Sequence, residues 1–229
     1  MEPYYPFIRW STPHLSAVAL SLLLAILLIA LGRWKGDKAS ILICRSLGAL
    51  LLLELIGETI WRFVFEDYGS NWRWNLPLHF CSFMAVAAFI ALWFRKPWAC
   101  CVCYFGIMSA SIQGLITPAM ANGYPSLAFF VFFFAHGLLL VVGLAIPLLI
   151  GWRASIWDPI KAFLMMDAYL LFIIPVNLCL RTNYGYTRFS PVEGCILDYC
   201  GTAPWYYLWL QLPVLAIFYF FYLFVRRHK

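Results

Sequence analysis

Residues 125–150 read PSLAFFVFFFAHGLLLVVGLAIPLLI, an unbroken apolar run with no charged side chain and one imidazole, that of His136. As a helix this run rises ~39 Å, more than the ~30 Å hydrocarbon core of a bilayer. Lipid supplies no partner for backbone N–H and C=O groups, so an apolar stretch of this length is stable as a helix that closes its own hydrogen bonds. The pattern repeats on both sides. Apolar stretches at 13–31, 41–65, 76–94, 98–118, 157–180 and 205–225 predict six further spans with short connections. The expected architecture is one all-α domain over residues 1–229, a polytopic seven-transmembrane-helix bundle. Composition agrees: 64% of residues are hydrophobic, 11% are charged and the mean hydropathy is +0.83. The loops are too short for a soluble domain. The first span follows Met1-Glu2-Pro3-Tyr4-Tyr5 rather than a basic segment, and it is longer than a signal-peptide core, so it is read as a retained helix.

The net charge of +6 is divided among the loops, which argues against a nucleic-acid surface. Arg33, Lys35, Lys38, Arg95, Lys96, Arg153, Lys161, Arg226, Arg227 and Lys229 fall on one side of the predicted bundle, and Arg9, Arg73, Arg181 and Arg188 on the other. The positive-inside bias then puts the C-terminus in the cytoplasm and the N-terminus outside. Tryptophans and tyrosines crowd both ends of the spans, as interfacial anchors do. The expected location is an integral, multi-pass one, in the inner membrane if the source is bacterial. The eight cysteines show no zinc-type spacing. Cys100, Cys101 and Cys103 lie within a span and are read as packing residues, whereas Cys195 and Cys200 share a loop and are a candidate disulfide pair.

Polar side chains inside the spans are the functional signal. Glu54, Glu58, Arg62, Cys81, Gln113, His136, Asp167 and Asn177 all interrupt apolar sequence. A charge at membrane depth costs at least ~2.5–3.5 kcal/mol, so such groups turn inward and mark a site or a pathway. Glu54, Glu58 and Arg62 recur every four residues, which puts them on one helical stripe with Glu58 and Arg62 in the favourable order for an ion pair. Each group also has an ordinary reading. Glu58–Arg62 serves equally well as a structural pair, Gln113 as interhelical glue, Cys81 as packing, and Asp167 as a hydrogen-bonding group between helices. His136, in a wall of phenylalanine, has fewer structural uses. Helical rise puts Cys81 and His136 at depths that differ by roughly 9 Å, a gap closed by helix tilt, a late start to the fifth span or a broken start to the third at Pro77.

Five motifs in order carry a family resemblance: Leu76-Pro77-Leu78-His79-Phe80-Cys81; Gln113-Gly114-Leu115-Ile116-Thr117-Pro118; Phe132-Phe133-Phe134-Ala135-His136-Gly137; Asn177 followed by Thr182-Asn183-Tyr184-Gly185-Tyr186; and Asp198-Tyr199-Cys200-Gly201-Thr202-Ala203-Pro204-Trp205-Tyr206. Over roughly residues 40–225 the chain resembles the YwaF-like integral membrane proteins, bacterial relatives of transmembrane protein 164. The resemblance implies a seven-helix fold and a Cys-dependent acyltransferase or hydrolase of phospholipids, with Cys81 at the position of the nucleophile and His136 at that of the base. The 198–204 segment is less hydrophobic and less tryptophan-rich than the family pattern.

The chemistry those residues allow is acyl transfer through a thioester. A thiol needs a base to become a nucleophile at neutral pH, and imidazole is the usual one. Asp167 is the candidate to orient the imidazole, with Glu54 second. Backbone N–H groups near Pro77 or Pro118, or the Gln113 amide, are oxyanion candidates. Glu58, Arg62, His79, Asn177, Asn183 and Tyr184 complete the expected binding set. The expected partner is a membrane lipid, with no nucleic acid, no metal and no cofactor. Three other classes fit parts of the pattern: a proton-coupled small-molecule transporter using the intramembrane Glu, His and Asp residues, a metal site built from His79, Cys81 and His136 with a carboxylate, and a structural subunit.

Overall fold

The computed structural model describes residues 5–64, 72–191 and 196–227. Among these there are no named strands, and seven long helices dominate: α1 (Thr12–Lys35), α2 (Asp37–Val64), α3 (Phe80–Phe94), α4 (Pro97–Ile116), α5 (Leu127–Leu148), α6 (Asp158–Leu180) and α7 (Tyr206–Val225). All but α3 are long and apolar enough to cross a membrane. The first two are longer than the expected spans at 13–31 and 41–65. They nearly meet at Gly36, whose φ of 85° turns the chain within one residue, a conformation natural to glycine. Arg33 and Lys35 lie in the last turn of α1, where cations complement the helix dipole.

The largest difference from the expected spans is at α3. Apolar sequence begins at Leu76, but the helix begins at Phe80. Pro77 has no N–H and disfavours helical geometry in the residue before it, so residues 76–79 enter as a turn, with Leu78 N–H donating to the Leu76 carbonyl at 2.8 Å. The 15 residues of α3 rise only ~22 Å, less than the hydrocarbon thickness. One end of this helix is therefore recessed. Non-helical backbone at such depth is stable only when it is buried in protein, and here it is pinned on three sides. Leu76 N–H donates to the Tyr184 hydroxyl at 3.0 Å, the Tyr169 hydroxyl donates to the Leu78 carbonyl at 2.8 Å, and the Asn75 side-chain amide reaches the Arg62 carbonyl at 3.4 Å.

Helices α4 and α5 are the interior pair. In each, 61% of the most apolar window is buried, against 11% in α6 and in α7. Large side chains such as Leu171, Leu212 and Phe224 on the outer helices are exposed, as lipid-facing residues should be. Close approach replaces the hydrophobic effect as the packing principle between helices in lipid. The clearest case is α1 against α5: a Cβ at Gly137 would lie 2.7 Å from the Ser21 hydroxyl. That hydroxyl is folded back onto the Ala17 carbonyl at 2.9 Å. Helix α5 starts at Leu127 because the Ser126 side chain caps it, accepting the Phe129 N–H at 3.2 Å. Helix α4 contains one wide π turn, Ile107–Ser111, where it passes between α3 and α5.

His14 locks the end of α4. It is fully buried, its Nδ1 accepts the Trp10 N–H at 3.0 Å, and its Nε2–H donates to the Leu115 carbonyl at 2.8 Å. Both ring nitrogens are thus used, which makes His14 a structural residue. The Cys195–Cys200 pairing expected from sequence falls outside the described residues, because Cys195 does.

Candidate functional site

The recessed end of α3 builds the site. His79 is the N-cap of that helix, makes no side-chain cap bond, and is followed by Phe80, Cys81 and Ser82 in the first turn. The N–H groups of those three residues have no helical acceptor. Such an end attracts negative charge, although the aromatic surroundings oppose it. Phe80 packs edge-on to Tyr169 at 5.5 Å and Phe83 stacks on the same ring at 5.7 Å.

His136 approaches from α5. Its Nδ1 is 2.9 Å from the Phe132 carbonyl, one helical turn back, and its ring stacks on the Phe132 ring at 4.0 Å. A carbonyl only accepts, so Nδ1 carries the proton and Nε2 of the neutral ring is the free base. The ring lies directly over Gly114 of α4: a Cβ there would sit 2.3 Å from Cδ2 and 2.6 Å from Nε2. Glycine in a helix interior costs up to ~1 kcal/mol relative to alanine. At this position it makes the space that the imidazole occupies.

Glu58 connects the two. Its carboxylate is within electrostatic range of both the Cys81 sulfur and the His136 ring, and it accepts a 2.5 Å bond from Arg62. Glu54, Glu58 and Arg62, the stripe read from the sequence, all line one groove. Below Arg62 a groove of about 370 Å³ opens between α2 and α5, lined among others by Glu54, Glu58, Arg62, Met120 and Phe132. Glu54 Oε1 in this groove is buried without a hydrogen-bond partner among the described residues. No hydrogen bond joins Cys81 directly to His136 among the described residues, and neither side chain lines the groove itself.

Other expected site residues lie elsewhere. Asp167 accepts a 3.3 Å bond from Gln211 of α7, and the His136 Nδ1 partner is the Phe132 carbonyl instead. Helical rotation explains this. Tyr169 of α6 packs against α3, and Asp167, two residues earlier, is turned about 200° away. Gln113 is exposed for the same reason, since its neighbour Gly114 takes the face toward His136. His79 stays at the site entrance, edge-on to Tyr184 at 4.9 Å.

Asn177, Asn183 and Tyr184 build the roof over this end. Asn177 is fully buried: its Oδ1 accepts from Thr182 Oγ1 and the Tyr184 N–H, both at 2.8 Å, and its Nδ2 donates to the Tyr184 carbonyl and Thr187 Oγ1, both at 2.7 Å. Asn183 closes the next turn, donating to the Phe189 carbonyl at 2.9 Å and accepting the Arg188 N–H at 2.9 Å. The Tyr184 hydroxyl donates to the Arg73 carbonyl while accepting the Leu76 N–H, and burial pushes its phenol up to about 12. It therefore acts as a neutral strut between two loops. Asn177→Ala leaves several buried groups unpaired at about 1–3 kcal/mol each. The expected result is a loss of about 3 kcal/mol or more, read as a lowered thermal midpoint in detergent.

Gly114 and Phe132 fall within two of the motifs but were given no role from sequence, and Tyr169 and His14 were not singled out at all. Among the described residues no cluster of three or more His, Cys, Asp or Glu side chains is arranged to hold a metal.

Long apolar helices around a polar site built from several of them define an integral, multi-pass membrane protein. The family model for the TMEM164 family matches residues 9–222, and the chain belongs to that family. No curated protein and no solved structure matches it.

Proposed function

We propose that the chain is a seven-helix membrane lipid acyltransferase or hydrolase, with its N-terminus outside and its C-terminus in the cytoplasm, working through Cys81 and His136. The observation that carries this reading is the state of His136: Nδ1–H is held by a backbone carbonyl, leaving Nε2 as a base where α5 packs on Gly114 of α4.

In the first half-reaction Nε2 takes the Cys81 thiol proton while the sulfur attacks the ester carbonyl of a lipid. The tetrahedral oxyanion forms beside the N–H groups of the α3 first turn, which have no helical acceptor. As it collapses the C–O bond breaks, and the imidazolium returns the proton to the departing lysolipid oxygen. This leaves an acyl thioester on Cys81. In the second half Nε2 deprotonates an acceptor hydroxyl, from a second lipid or from water, which attacks the thioester. The thiolate leaves and regains its proton from His136. The groove between α2 and α5 supports entry of an acyl chain from the side, and the roof of Asn177, Asn183, Tyr184 and His79 limits water, which favours transfer over hydrolysis.

Glu58 takes the electrostatic role expected of Asp167. A carboxylate near both groups stabilises the imidazolium that forms in each half-reaction, while Arg62 holds it in place. Asp167 acts at a distance by tying α6 to α7. Glu58→Gln should lower kcat about ten- to a hundred-fold with little change in KM, measured as acyl transfer between phospholipids in nanodiscs. An unchanged kcat removes Glu58 from the mechanism.

One observation favours a second reading. The unpaired carboxyl oxygen of Glu54 lines a groove, as a proton-binding group of a proton-coupled small-molecule transporter would. Flux that survives Cys81→Ala but is lost in Glu58→Gln or Asp167→Asn would select it.

A further inference from the structure

The opposite end of the bundle contains a second pocket that the reaction does not use. It has a volume of about 330 Å³ and is lined by, among others, Trp98, Trp152, Asp158, Lys161 and Arg227. Trp98 lies 16 residues before Gly114 on α4, which puts the pocket ~24 Å from the imidazole along that helix. Two long helices begin here, α4 at Pro97 and α6 at Asp158, and neither N-terminus has a side-chain cap bond. Their positive dipole ends therefore converge on one cavity.

The lining cations Lys161 and Arg227 are exposed but tethered. Arg227 is fixed by main-chain pairing of the C-terminal segment with the α5–α6 connection: Ala154 N–H donates to the Val225 carbonyl at 2.8 Å and Arg227 N–H to the Ala154 carbonyl at 3.0 Å. Its Nε donates to the Arg153 carbonyl at 3.2 Å. The one lining carboxylate, Asp158, is already engaged, accepting the Ser155 N–H at 2.8 Å and Lys161 Nζ at 2.9 Å. Two cations and one carboxylate leave a net positive lining. The indoles of Trp98 and Trp152 flank it, side chains that favour the level of lipid headgroups.

We infer that this pocket binds a phosphate-bearing anion, supplied either by the headgroup of an acidic phospholipid in the adjoining leaflet or by phosphate in solution. The inference is independent of the acyl-transfer reading and holds for either orientation in the membrane. The chemistry is that of a basic pocket between transmembrane helices at an interface.

The test uses the full chain in phosphatidylcholine–detergent micelles, titrated with phosphatidylglycerol in one arm and inorganic phosphate in the other. Thermal midpoint and bound-lipid adducts in native mass spectrometry are recorded. Phosphatidylglycerol should raise the midpoint and form an adduct. The double variant Lys161→Gln/Arg227→Gln should weaken its apparent affinity roughly twenty-five-fold, about five-fold per cation removed, and Arg227→Lys should retain most of it. Lipid adducts with no effect of inorganic phosphate assign the site to a headgroup. Equal protection by inorganic phosphate assigns it to a soluble anion. Unchanged phosphatidylglycerol affinity in the double variant, with its unliganded midpoint intact, overturns the inference. So does protection by neither anion. If the double variant is itself unfolded, Arg227→Gln alone, with an expected five-fold loss, decides.

Discussion

On the proposed mechanism, Cys81→Ala should remove acyl transfer and leave the bundle folded. The nucleophile is the one group whose loss no neighbour can replace: among the described residues the buried thiols Cys44, Cys100, Cys101 and Cys103 lie in the packed core of α2 and α4. Deleting a catalytic nucleophile costs roughly 10³-fold or more, so turnover should fall to background. Stability should change little, because Cys81 is only partly buried and alanine suits the first turn of a helix. The assay needs one precaution. Cys179 is exposed, Cys200 is as accessible as Cys81, and Cys195 shares the Cys200 loop, so the triple variant Cys179→Ser/Cys195→Ser/Cys200→Ser is the correct parent. In that background a lipid-directed thiol probe should label the protein once, and Cys81→Ala should abolish the label. Full labelling and turnover in the variant would end the enzyme reading.

Gly114→Ala should be almost as damaging, for a purely steric reason. The added methyl would fall 2.3 Å from His136 Cδ2, closer than any real contact. The ring cannot slide away cheaply, since it would lose both its bond to the Phe132 carbonyl and its stacking on the Phe132 ring. A displacement of about 1 Å at a reacting group costs roughly 10²-fold, and kcat should fall by at least that much. Helix propensity returns up to ~1 kcal/mol of the steric cost, against ~1–3 kcal/mol for overpacking, so the thermal midpoint should fall only modestly while kcat collapses. A double-mutant cycle separates this from general damage. Adding Gly114→Ala to His136→Ala should cost nothing further, because both act through one imidazole. Additive losses would mean that Gly114 serves packing alone.

How much of this was legible in the chain depends on the kind of information involved. The apolar helices are written in runs such as 125–150, since a bilayer accepts few alternatives. The stripe Glu54, Glu58, Arg62 was legible because its members share one helix and four-residue spacing fixes their common face. The recessed start of α3 was half legible: Pro77 announced a broken entry, but the struts that hold it, Tyr169 and Tyr184, come from far along the chain. Helix rotation was not legible at all. Depth alone made Asp167 an attractive partner for His136 and Gln113 an attractive oxyanion donor. Each is one or two residues from the position that faces the site, and 100° per residue is enough to turn it elsewhere. His14 was invisible for a related reason, its acceptor being the carbonyl of Leu115, 101 residues away.

The central claim is a covalent acyl group on one sulfur. Intact-mass spectrometry of the protein after brief incubation with phospholipid, without acceptor, tests it most directly. The expected result is an added mass of one fatty acyl chain that maps to Cys81, is released by neutral hydroxylamine, and is absent from Cys81→Ala. Transfer that proceeds in the Cys81→Ala protein, with no acyl adduct at that position in the unaltered one, would contradict it.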